Sequence, residues 1–92
     1  MTENALKDFR RYSGISECWE LIKSAIIVVS DTTYRLELWH SYSNPDVPYY
    51  VSVYIQEEGA WKKMPDAPFS IGPDAELALG NALAILSERT AA

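Results

Sequence analysis

Two stretches of alternating side chains, separated by a proline-bracketed turn, constrain this chain more than any other feature. In residues 33–43 the positions Tyr34, Leu36, Leu38, His40 and Tyr42 recur at every second residue, and in 49–57 so do Tyr49, Val51, Val53 and Ile55. A period of two belongs to an extended strand, whose successive side chains point to opposite faces. Between the stretches lies Asn44-Pro45-Asp46-Val47-Pro48, a turn-forming sequence whose two prolines cannot donate to a ladder. The segment therefore reads as an antiparallel hairpin. Pairing Tyr42 with Tyr49 puts Leu38 opposite Val53 and Leu36 opposite Ile55, so both strands present one apolar face.

The flanking elements follow from shorter signals. Glu57-Glu58-Gly59-Ala60 turns the chain into a short third strand over 61–64. A two-residue turn there sends Trp61 to the outer face, and a three-residue turn with a Gly59 bulge sends it inward; the inward placement is favoured because tryptophan is usually a core residue. After Gly72, Pro73 suits a first helical turn and Asp74 and Glu76 complement the helix dipole. Ala75, Leu79, Ala82, Leu83 and Leu86 form the stripe of that helix, flanked by Ala78 and Ile85, with Leu77 on the opposite side.

Upstream, Ser16 is a good N-cap, and Cys18, Trp19, Leu21, Ile22, Ala25, Ile26 and Val29 share one helical side, which predicts a helix over 17–27. The β-branched run at 26–29 suits a strand nearly as well, with Asp31-Thr32 as its turn. Ala5, Leu6, Phe9 and Tyr12 give residues 2–12 a weak helical pattern stopped by Ser13-Gly14, so 1–14 is a helical segment or arm. The expected fold class is α+β: a three-stranded antiparallel sheet, with a four-stranded one as the alternative. A C-terminal helix packs on one face and an N-terminal helical segment precedes the sheet, in the order α-β-β-β-α, within a single domain of 1–92.

Composition excludes several function classes. Eight Lys and Arg stand against thirteen Asp and Glu, a net charge of −5, and only Arg10-Arg11 and Lys62-Lys63 are adjacent cations. Phosphate-backbone binding needs clustered positive charge, so nucleic acid is an unfavoured partner. The longest apolar run, 25–29, falls far short of the roughly 20 residues that span a bilayer, and no membrane association is expected. The single cysteine, Cys18, cannot form an intramolecular disulfide, and MTENALKDF lacks the apolar core of a secretory signal, which together make the cytoplasm the expected compartment.

Chemistry-bearing residues are sparse. His40, the only imidazole, alternates with Leu36 and Leu38 toward the core and has no visible set of ligands or orienting groups. Cys18 lies on an apolar side, where a thiol acts as a small hydrophobe. Gly14, Gly59, Gly72 and Gly80 are too scattered for a phosphate-cradling loop. Consecutive Glu57 and Glu58 point to opposite faces and read as a solvated hairpin tip. No catalytic set, metal site or cofactor is therefore expected, and the chain reads as non-enzymatic.

The anomaly is the hairpin's outer face. In the register above, Trp39 stands opposite Ser52, with Tyr50 and Tyr54 on its diagonals at about 7–8 Å, within reach of large rings. Three aromatics thus gather on an otherwise polar face, either as a second small core beneath the N-terminal helix or as a recognition patch. The patch, with Glu37, Glu57 and Glu58 at its rim, makes Trp39, Tyr50 and Tyr54 the expected partner-binding residues. The size and acidity are those of small inhibitors and of immunity or anti-defence proteins of bacteria and phage. The expected partner is accordingly a protein, a basic one for preference, or a second copy of the chain in a homodimer. The alternative is a single-stranded nucleic-acid binder that stacks bases on the same rings.

From residue 16 onward the expected order of elements resembles that of the double-stranded RNA-binding domain. That family grips phosphates with basic residues at the start of its last helix. Here Gly72-Pro73-Asp74-Ala75-Glu76 puts carboxylates in that place, so the resemblance does not carry RNA binding with it.

Overall fold

The computed structural model describes residues 5–65 and 69–89. Its elements are a 3-10 turn η1 (Phe9–Arg11), strands β1 (Trp19–Val29), β2 (Thr32–Ser41), β3 (Tyr49–Glu57), β4 (Ala60–Lys63) and β5 (Ser70–Gly72), and helix α1 (Ala75–Arg89). The sheet is antiparallel in the order β1-β2-β3-β4, and β5 joins the same edge of β3 further along. The α+β class, the antiparallel sheet and the C-terminal helix are those expected from the sequence, but the sheet has five strands instead of three or four and the order of elements differs.

The segment expected as a helix over 17–27 is strand β1. Its β-branched run decides the matter: Ile26, Ile27, Val28 and Val29 pair with Arg35, Tyr34, Thr33 and Thr32 across a tight turn. Ser30 takes a φ of 52° in that two-residue turn, the positive dihedral such hairpins demand at their first central position. Among the described residues the expected N-terminal helical segment is only the 3-10 turn η1, since 5–14 hold η1 and turns; residues 1–4 of that expectation lie outside the described residues. With a strand in place of the first helix, the element order departs from that of the double-stranded RNA-binding domain.

The β2–β3 hairpin keeps its expected faces in a register displaced by two residues. Trp39 pairs with Tyr50, Leu38 with Val51 and Leu36 with Val53. Tyr42 cannot face Tyr49 because its N–H donates to the Cys18 carbonyl at 2.8 Å, which extends the β1–β2 ladder, while the Ser41 N–H closes on the Pro48 carbonyl at 2.6 Å. An even displacement leaves every side chain on its original face.

On the inner face Tyr34, Leu36, Leu38, Val51 and Val53 meet Ala78, Ala82 and Leu86 of α1, with Met64 and Phe69 closing the core. Met64 and Phe69 donate to the carbonyls of Val53 and Val51, so the chain leaves β3 after β4 and returns to it at β5. The buried helix row is Ala78-Ala82-Leu86, an i, i+4 ridge. Small alanines let α1 sit close enough for the Ser70 hydroxyl to donate to the Ala78 carbonyl at 2.9 Å. The expected stripe is thereby rotated by one position: Leu83 is 44% exposed. Asp74 caps the helix, its Oδ1 accepting the Leu77 N–H at 2.8 Å, which puts Pro73 just outside the first turn.

Candidate functional site

The face of the sheet turned away from α1 is assembled from alternate residues of all five strands. The pairing places Trp19, Leu21, Ser24, Ile26 and Val28 of β1 beside Ser41, Trp39, Glu37, Arg35 and Thr33 of β2. Tyr50, Ser52, Tyr54 and Gln56 of β3 continue the row, followed by Ile71, Lys63 and Trp61 at the far edge. Much of this surface is apolar and open: Trp19 is 52% exposed, Ile26 56%, Val28 65% and Ile71 47%. No second core covers these positions, although Ser52 in the middle of the face is buried and Phe9 of η1 is buried outside the inner cluster.

The aromatics interlock. Trp39 and Tyr50 lie nearly parallel, with centroids 6.2 Å apart, and Trp19 meets Tyr50 edge-on at 5.8 Å. Near the other end of the face the Arg35 guanidinium carbon sits 4.4 Å from the Tyr54 centroid and 4.9 Å from that of Trp61. Arg35 Nε approaches Glu37 Oε2 at 3.4 Å, an ion pair between two half-buried groups on one strand. Partial burial, reinforced by Tyr54 and by the Glu37 carboxylate, raises the Tyr50 hydroxyl above its ordinary pKa. The Tyr50 ring therefore presents a neutral phenol throughout the physiological range.

Of the expected site residues, the structure brings Trp39, Tyr50, Tyr54 and Glu37 together on this face and leaves Glu57 and Glu58 apart. Glu57 lies seven residues beyond Tyr50 on β3, about 23 Å along the strand. Its odd-numbered position places it on the inner side of the alternation, and it pairs loosely with Lys62 at 3.9 Å. Glu58 occupies the β3–β4 turn. That turn has two residues, with Glu58 at φ 52° and Gly59 at φ 79°, so Glu57 faces Ala60 and Trp61 goes to the outer face instead of the core. The inward Trp61 of the sequence reading is thus corrected, and its ring instead joins the clamp on Arg35.

Below Trp39 the face dips into an open groove of about 470 Å³, lined by Trp19, Tyr50, Ile71, Ser41, Ser52 and Lys63 among others. The sequence reading missed Trp19, Leu21 and Ile26 because it folded them into a helix over 17–27, and Val28 just past its end; the β-branched run at 26–29 was the signal for Ile26 and Val28, and nothing comparable marked Trp19 and Leu21. On the opposite face the His40 ring sits between Tyr42 and Tyr49, at 4.4 and 4.9 Å, and the Tyr42 hydroxyl donates to Glu20 Oε1 at 2.7 Å. Among the described residues no three His, Cys, Asp or Glu side chains gather as metal ligands, and no helix is long and apolar enough to cross a membrane. Comparison with protein-family models, curated proteins and solved structures finds no match.

Proposed function

We propose that this chain is a non-enzymatic protein-binding module that docks through the open sheet face. The observation that carries the reading is the exposure of Trp19, Leu21, Ile26, Val28 and Ile71 on one surface, contiguous with Trp39, Tyr50, Tyr54 and Trp61. Monomeric proteins seldom leave an apolar area of that extent open to water, and tryptophan and tyrosine are the residues that most often anchor an interface. The acidity of the chain lies elsewhere. Of the two carboxylates on the face, Glu37 is already engaged by Arg35 and Glu17 lines the groove together with Lys63, so apolar contact rather than attraction of a basic partner supplies the affinity. A small inhibitor of the immunity or anti-defence type acts by just such surface occlusion, in the cytoplasm.

The test is a comparison of captured proteins. Immobilised wild type and a Val28→Ser/Ile71→Ser variant, matched for circular dichroism, are exposed to an extract of the producing cells. The wild type should retain a protein that the variant loses; identical captured sets would overturn the reading. Lys63 and the ring surface favour a second reading, single-stranded nucleic acid stacked on the sheet, yet Arg35 is held by Glu37 and two rings and leaves Lys63 as the main free cation on the face. Fluorescence anisotropy with a labelled oligonucleotide should show negligible binding at physiological salt, and micromolar, steeply salt-dependent binding would replace the first reading by the second.

A further inference from the structure

We infer that the occupant of the open face is a second copy of this chain, stacked sheet against sheet about a two-fold axis that lies across the strands. The inference rests on the docking reading above and names its partner. Three features of the face point to a copy of itself.

The first is charge. The chain carries −5, whereas the open face with its groove carries Arg35 and Lys63 against Glu37 and Glu17, a net charge of 0. Two acidic molecules meet with less repulsion on a surface that lacks net negative charge. The second is shape. The exposed Ile26 and Val28 stand proud at one end of β1, while the groove lined by Trp19, Tyr50 and Ile71 opens at the other end of the same face. A two-fold axis across the strands lays the ridge of each copy over the groove end of the other, the reciprocal contact that an isologous dimer requires. The third is area. Four strands about 4.8 Å apart and about 30 Å long offer about 600 Å² per copy, and about 1,200 Å² for the pair reaches the lower end of specific interfaces.

The alternative of pairing through the free edge of β1 is disfavoured by that edge itself. The ladder is broken by a bulge between Leu21 and Lys23, and Glu20 and Lys23 point to the inner side there, the devices by which edge strands resist pairing.

Sedimentation velocity on the full chain from about 1 to 500 µM tests the inference. The wild type should be a reversible dimer with micromolar dissociation, tighter at 0.5 M than at 0.05 M NaCl because salt screens the repulsion of two −5 chains. Val28→Lys and Ile71→Lys, at opposite edges of the sheet and on exposed side chains, should each weaken the dimer at least tenfold while leaving circular dichroism unchanged. Loss of the dimer in Val28→Lys but not in Ile71→Lys would mean edge pairing and overturn the stacked arrangement. A wild type that stays monomeric at 500 µM, or that grows beyond a dimer, would also overturn it. A wild type that stays monomeric yet retains a protein that the Val28→Ser/Ile71→Ser variant loses would overturn the self-partner alone. Identical captured sets together with a monomer would overturn both readings.

Discussion

Strands β1 and β3 are built from similar residues and have opposite fates. Eight of the eleven side chains of β1 are apolar and six of the nine of β3, yet β3 holds buried Val51, Ser52 and Val53 while β1 holds no buried residue. The difference is one of position. β3 has partners along both edges and α1 over its inner face, whereas β1 pairs only with β2 and lies at the fringe of the core. Apolar content alone therefore does not decide what a strand contributes to stability; the number of covered sides does. On the docking reading proposed above, a strand richer in apolar residues than its own fold can cover is the one whose surface meets another molecule.

The largest expected effect separates the two regions by one deletion in each. Leu86→Ala empties a fully buried site against the sheet and should cost about 2–5 kcal/mol, whereas Ile26→Ala on β1 should stay within about 0.5 kcal/mol when measured at a concentration low enough to keep the chain monomeric. Urea denaturation of both variants checks this, and equal losses would abolish the distinction between covered and open strands. Leu83→Ala sharpens it within one helix, since that exposed leucine should behave like Ile26 and not like Leu86.

A smaller effect concerns how the covering helix is held in place. Asp74→Ala removes the acceptor of the Leu77 N–H and should lower stability by about 1 kcal/mol. Because α1 covers β3 and not β1, hydrogen exchange in this variant should quicken in β3 more than in β1.

The smallest expected effect belongs to the open face. The pKa of Tyr50 is raised in the folded state, so the stability tied to its neutral form is fully present below the unfolded value of about 10 and is lost as pH rises through the folded one. In a titration followed at 295 nm, Tyr50→Phe should remove a late-ionising tyrosine and make the alkaline decline in stability shallower. An unchanged late step would mean that this ring is solvated like any exposed tyrosine.

How much of this was legible in the sequence depended on whether a segment obeyed one period. The β2–β3 hairpin did, and its two faces are those read from alternation; the register slipped by two because nothing local shows that Tyr42 is engaged by Cys18. β1 obeys no single period. The bulge between Leu21 and Lys23 interrupts its alternation, and residues 25–29 are apolar on both faces, so the run fits a helical stripe as readily as a strand. The three-residue β5 is too short to leave a pattern at all. Of the candidate site, Trp39, Tyr50 and Tyr54 followed from parity alone, whereas Trp61 depended on a turn whose two positive dihedrals no composition rule distinguishes from a bulge.

The β1 bulge also bears on how a lineage of such chains can change. Leu21 pairs with Trp39 and Lys23 with the adjacent Leu38, so the residue between them, Ile22, has no partner of its own. Loss of that one codon would leave every other cross-strand partner and every face unaltered, and would straighten the outermost strand into an unbroken template of backbone donors and acceptors. Such a deletion would keep the pairing of the folded monomer while removing one of the devices that stop the free β1 edge from adding further copies, which would give fibrils a growing end. Ile22 is thus expected to be retained by selection against polymerisation.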